Sequence, residues 1–138
     1  MKALSVRAPW WWAILKAGKD IENRSWRTNF RGRVLIHTGK WYNNVEVCDD
    51  LFVIKRILKL ENIPADNHRQ MLAPFGGCVV GSVEIVDCVT NSNSPWFFGE
   101  YGFVLRDPIS FATSTPIKGA LGFFEVPDSL VNFNREEQ

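Results

Sequence analysis

Residues 75–89, FGGCVVGSVEIVDCV, form the plainest β segment in the chain. Valine and isoleucine dominate it, and those residues suit a pleated, half-buried strand. Gly76, Gly77 and Gly81 interrupt it, which predicts a bend, a bulge or a close approach of another backbone. A phosphate-binding P-loop would place a lysine after the last glycine of such a run, and none is there. Working outward, RVLIHTG (33–39) alternates, with Val34 and Ile36 on one side and Leu35 and His37 on the other. KALSV (2–6) alternates more weakly. WFFGEYGFVLRDP (96–108) is an aromatic strand that closes at Asp107–Pro108, and residues 109–127 hold two more short strands broken by Pro116 and Gly119. TNSNSP (90–95) is a loop by composition.

Two stretches have helical spacing. WWWAILKA lies between Pro9, which suits a first turn, and Gly18, which suits a stop. Trp11, Ile14 and Leu15 share one face there, and Trp10 or Trp12 is left as a ring that could reach solvent. Residues 45–60 carry Val47, Leu51, Ile54 and Leu58 on one stripe, with Lys55, Arg56 and Lys59 outward as a solvated face. Strands outnumber helices, and several are too short and glycine-rich for an open parallel sheet. The expected fold class is α+β, mainly β: a small, closed or nearly closed β-barrel with two or more helices over its openings. The length of 138 residues favours a single domain, expected over 1–130, with 131–138 fraying as a C-terminal tail.

Composition excludes several classes. Hydrophobic residues make up 46% and charged residues 22%, ordinary values for a globular chain. No apolar run approaches the ~18 residues a membrane span needs, and the opening MKALSVRAPWWW lacks a signal-peptide pattern, so a cytoplasmic protein is expected. Cys48, Cys78 and Cys88 are odd in number and lack C-x-x-C spacing, and His37 and His68 are far apart, so neither a metal site nor a disulfide framework is expected. No cofactor is expected either.

Charge is unevenly placed. Residues 1–40 hold nine Lys/Arg against two Asp/Glu, whereas residues 41–138 hold seven against thirteen. A nearly neutral chain can thereby present a local positive surface to an anionic partner. The bias is strongest in GKDIENRSWRTNFRGR (18–33), where Lys19, Arg24, Arg27, Arg31 and Arg33 mingle with Asp20, Glu22 and Trp26. Nucleic-acid binding requires cations for phosphate and flat faces for bases. Arg24, Arg27, Arg31, Arg33 and Lys40 supply the first; Trp26, Trp96, Phe97 and Tyr101 supply the second unless Trp26 and Trp96 plug the barrel. Asn23 and Glu22 offer polar groups for a base edge.

Catalytic patterns are thin. No G-x-S-x-G occurs, and Glu22 with Glu84 is the best paired-carboxylate guess. Lys19 and Glu22, three apart beside Arg24, are either a surface ion pair or a cleft pair in which Glu22 orients the amine.

The block LSVRAPWWWAILKAGKDIENRSWRTNFRGRVLIHTGK (4–40), followed by VVGSVEIVDC, WFFGEYGFVLRDP and PIKGALGFFEVP, resembles ASCH domains, a branch of the PUA-like superfamily. Residues 45–75 match only as a helical insert. The resemblance implies a PUA-like β-barrel with a cleft beside the first helix, and a role in RNA or modified-nucleoside biology. In amidohydrolase relatives a lysine in the turn after the first helix is catalytic, and Lys19 matches it; a threonine used three positions on is replaced here by Glu22. The leading expectation is RNA or nucleoside binding in a cleft lined by Lys19, Glu22, Asn23, Arg24 and Trp26, with Lys19 and Glu22 as catalytic candidates. Arg7, Trp10, Arg31, His37, Trp96 and Tyr101 are further ligand-binding candidates. The alternatives are an N-acylated nucleoside amidohydrolase or metal-independent single-strand ribonuclease, and a protein-interaction module.

Overall fold

The computed structural model of the chain describes residues 1–39, 44–59 and 77–137. Lys40, Gly76 and His68 lie outside them. The elements run β1 (Lys2–Val6), α1 (Trp10–Lys16), β2 (Ile21–Arg24), β3 (Gly32–Thr38), α2 (Asn44–Leu58), β4 (Cys78–Val89), β5 (Tyr101–Pro116) and β6 (Phe123–Glu125), then a short 3-10 turn at Asp128–Leu130. The protein is mainly β, as its residue pattern predicts.

The six strands form one sheet in the order β2-β5-β4-β3-β1-β6. Neighbours are antiparallel except β1 and β3, which pair in parallel because α1 and β2 intervene between them. The alternation read in β3 sorts its residues onto two layers. Val34 and Ile36 join Leu4, Val6, Ile85, Phe103 and the α1 residues Trp11, Trp12 and Ile14 in the main core. Leu35 joins Ala3, Val79, Phe111, Val126 and Val131 in a smaller cluster on the opposite face.

The sheet curls into a half-barrel. No backbone ladder joins the edge strands β2 and β6, but aromatic rings meet across the seam. Trp26, just past β2, sets its edge against Phe123 of β6 at 5.3 Å and Phe103 of β5 at 5.2 Å, and Phe103 stacks on Phe123 at 6.1 Å. Such ring pairs add roughly 0.5–1.5 kcal/mol each beyond the area they bury.

Gly81 shows why glycine stands in β4. A Cβ there would lie 2.3 Å from the Ile109 carbonyl and 2.9 Å from a Leu15 methyl, so only glycine lets β5 and α1 come this close. The β4–β5 register shifts between Val79 and Gly81.

Two expectations are corrected. β5 does not stop at Asp107–Pro108: it runs on to Pro116, because Asp107 and Pro108 fall in a register irregularity between Arg106, opposite Glu84, and Ile109, opposite Ser82. Asp107 takes a left-handed φ of 53°, and Pro108 sits where no ladder N–H is demanded. The C-terminal stretch does not fray through residue 136. Ala112 N–H donates to the Asn134 carbonyl at 2.7 Å and Glu136 N–H to the Ser110 carbonyl at 2.9 Å, along the part of β5 that β2 does not reach. Val131 is buried, and Phe133 sets its edge on Phe111.

Among the described residues, no helix is long and apolar enough to cross a membrane.

Candidate functional site

The site begins with how α1 ends. Gly18 adopts a φ of 77°, open to glycine and strained for other residues, and turns the chain back beneath the helix. The Lys19 N–H returns to the Ala13 carbonyl at 3.1 Å. That return aims the Lys19 side chain inward, with its ammonium 5.5 Å from the centre of the Trp10 ring. The same ammonium donates to the Ile21 carbonyl and, at 3.1 Å, to Glu22 Oε1. Side-chain exposure is 2% for Lys19 and 9% for Glu22, so this is a buried pair and not a surface one.

The second carboxylate oxygen of Glu22 accepts from Arg24 Nε at 3.0 Å, and another nitrogen of that guanidinium donates to the Ser5 carbonyl at 2.6 Å. β2 supplies this geometry directly. Glu22 and Arg24 are two apart on a strand, so they point to the same face.

Above this floor opens a cleft of about 700 Å³. Its walls include Trp10 of α1, Trp26 after β2, Phe98 of the loop before β5, and Asp50 and Val53 of α2. Arg7 and Asp50 face each other at the rim in a 2.8 Å ion pair. Among the described residues, the charged groups that line it are three cations and two carboxylates: Arg7, Lys19 and Arg24 with Glu22 and Asp50. Among the described residues, no three His, Cys, Asp or Glu side chains converge as metal ligands would.

Of the residues the sequence nominates, the structure gathers Arg7, Trp10, Lys19, Glu22, Asn23, Arg24 and Trp26 around this one cleft. It places the others elsewhere. Trp96 is 4% exposed and belongs to the main core, where a large ring yields the most burial. His37 is buried on the opposite face of the sheet, because alternation along β3 sends it away from Val34 and Ile36. Its Nε2 lies 2.7 Å from the Ile117 carbonyl, which can only accept, so Nε2 carries the proton and Nδ1 accepts from the Ser5 hydroxyl at 2.8 Å. Burial pushes its pKa down, against the pull of the Ile117 hydrogen bond. Arg31 donates to the Thr28 and Phe30 carbonyls and holds the turn before β3. Tyr101 lines a separate groove with Arg27 and Asp87. Glu84 pairs with Arg106 and is remote from Glu22's cleft.

Asn23 also ties β2 to the loop before β5. Its Nδ2 donates to the Trp96 carbonyl at 2.9 Å, and its Oδ1 accepts from the Phe98 N–H at 2.7 Å. The amide thereby fixes the loop that buries Trp96 and leaves Phe98 47% exposed at the cleft. Phe98 and Asp50 escaped the sequence reading. Asp50 follows the apolar Val47 by three on α2, which puts it beside the packed stripe, but nothing local ties it to Arg7.

The ASCH domain family matches residues 4–103, a span that contains every residue lining the cleft. The chain belongs to the ASCH domain family. ASCH domains are PUA-like and generally RNA-binding. Among curated proteins, this ASCH chain is similar to activating signal cointegrator 1 of Mus musculus, with 29% identity over 125 residues covering 84% of this chain and 20% of that protein. The Homo sapiens protein of the same name is 26% identical over 124 residues, with the same two shares, 84% and 20%. The chain thus spans about a fifth of the length of these relatives.

Proposed function

We propose that this ASCH domain binds single-stranded RNA by taking a nucleotide base into the cleft between α1, β2 and α2. The observation that carries this reading is the chain of charges from buried Lys19 and Glu22 to half-buried Arg24 at the floor of a cleft walled by Trp10, Trp26 and Phe98. Withdrawing the Lys19 and Glu22 charges from water is unfavourable, and such a pair is weak evidence of a stability role. Its polar edges face a space of about 700 Å³, inside the roughly 300–1,000 Å³ usual for small-molecule pockets. A carboxylate has lone pairs beyond those given to Lys19 and Arg24, and a guanidinium has five N–H donors. Together they suit a base edge that carries an amine beside a carbonyl. Stacking on an aromatic wall adds about 1–3 kcal/mol per base.

The geometry favours binding over hydrolysis. Lys19 directs its ammonium at the Ile21 carbonyl, Glu22 and the Trp10 face, so the amine is held as a donor within the protein.

The test is a titration of labelled mixed-sequence single-stranded RNA at two salt concentrations. Saturable binding that weakens as salt rises is expected, because phosphate contacts release counterions. Absent binding, or weak binding indifferent to salt, removes the reading.

A further inference from the structure

We propose that the groove lined by Arg27, Asp87, Thr90, Asn91 and Tyr101 is a second nucleotide subsite, so that the ligand of this domain is an RNA strand rather than a free nucleoside. The proposal rests on the reading that the cleft takes a base. The groove has a volume of about 450 Å³ and is separate from the cleft.

Two chain segments join the two concavities. Residues 24–26 line the cleft and Arg27, the next residue, lines the groove. Phe98 lines the cleft and Tyr101, three residues on, lines the groove. The two segments are themselves held together, since Arg24 and Tyr101 are register partners across the β2–β5 ladder. Cleft and groove therefore share a wall, and a strand with one base in the cleft reaches the groove by crossing it.

The groove also has suitable chemistry. Asp87 lies 3.6 Å from Arg31, which offsets its charge. Among the described residues, no carboxylate pairs with Arg27, leaving that exposed guanidinium for a phosphate. Tyr101 is half-buried and offers a ring, while Thr90 and Asn91 are exposed and offer hydroxyl and amide groups. These are the components that a backbone-tracking nucleotide site combines. The arrangement also accounts for why the cations of residues 18–33 do not all gather at the cleft.

The experiment compares the four nucleoside 5′-monophosphates with a random-sequence RNA tetranucleotide by calorimetry, on the wild type, Arg27→Ala and Tyr101→Leu. Melting temperatures confirm that both variants fold. The wild type is expected to bind the tetranucleotide at least tenfold more tightly than the best monophosphate. Each variant should lose most of that gain, and Arg27→Ala should lower the slope of log K against log salt by about 0.7, the value for one phosphate contact on a single strand. Equal affinity for the two probes overturns the groove proposal alone, as does a length gain that both variants retain. Failure of both probes to bind overturns the cleft reading and the groove with it.

Discussion

Arg24, at the end of β2, donates a 2.6 Å hydrogen bond to the main-chain carbonyl of Ser5 on β1, although these strands are not neighbours in the sheet. The bond spans the open end of the curl. β6 pairs with β1 only from Lys2 to Leu4, and the guanidinium takes the carbonyl one residue further on. The same guanidinium holds Glu22, which holds Lys19. The floor of the cleft is thus also a tie between the two sides of the half-barrel, and substitutions there should affect folding as well as binding.

Glu22→Gln removes the carboxylate charge that compensates the buried Lys19 ammonium. Breaking a buried pair from one side costs about 3–5 kcal/mol, and the isosteric amide should place this variant near the lower end. Replacing both residues, as in Lys19→Met with Glu22→Leu, should recover much of the loss. Urea unfolding of the three proteins measures it; a loss under ~1 kcal/mol in the single variant would mean that the pair is solvated.

Phe98→Ala should weaken RNA binding about tenfold through lost stacking, with little change in melting temperature, since the ring is exposed. Asn23→Ala should also weaken binding without itself touching the ligand, because it releases the loop that presents Phe98. It should destabilise by roughly 1–2 kcal/mol for two lost hydrogen bonds. If Phe98 is the route, adding Asn23→Ala to Phe98→Ala will produce little further loss of affinity.

His37 predicts a pH dependence. Its pKa in the folded protein lies below the ordinary 6.5 because burial disfavours the charged ring. The unfolded chain therefore binds more protons once pH falls below that value, and stability present above pH 6.5 declines as the pH drops toward the folded pKa. Urea midpoints at about pH 7.5 and 5.5 should differ, and the difference should shrink in His37→Gln. RNA affinity should be insensitive to this substitution, since the ring lies across the sheet from the cleft.

Much of this was legible in the sequence where the cause is local. Pro9 and Gly18 mark the limits of α1, and the three-residue spacing of Lys19 and Glu22 brings them together at its end. The alternation of β3 divides its residues between the two faces of the sheet. What escaped depends on contacts far apart in the chain. Trp96 and Phe98 are both aromatic and two residues apart, and the distant Asn23 holds the loop that buries one and exposes the other. Asp50 meets Arg7 because α2 packs beside the cleft, a placement that no local spacing encodes. The polar tail suits solvent by composition, yet its backbone pairs with the stretch of β5 beyond the reach of β2.

Entry of a base into the cleft can be followed by the indole N–H signals of ¹⁵N-labelled protein titrated with single-stranded RNA. Trp10 and Trp26 wall the cleft, whereas Trp11, Trp12 and Trp96 are buried in the core. The Trp10 and Trp26 signals should shift progressively with added RNA while those of Trp11, Trp12 and Trp96 stay in place. Saturable RNA binding that leaves Trp10 and Trp26 unmoved would contradict entry of a base into the cleft.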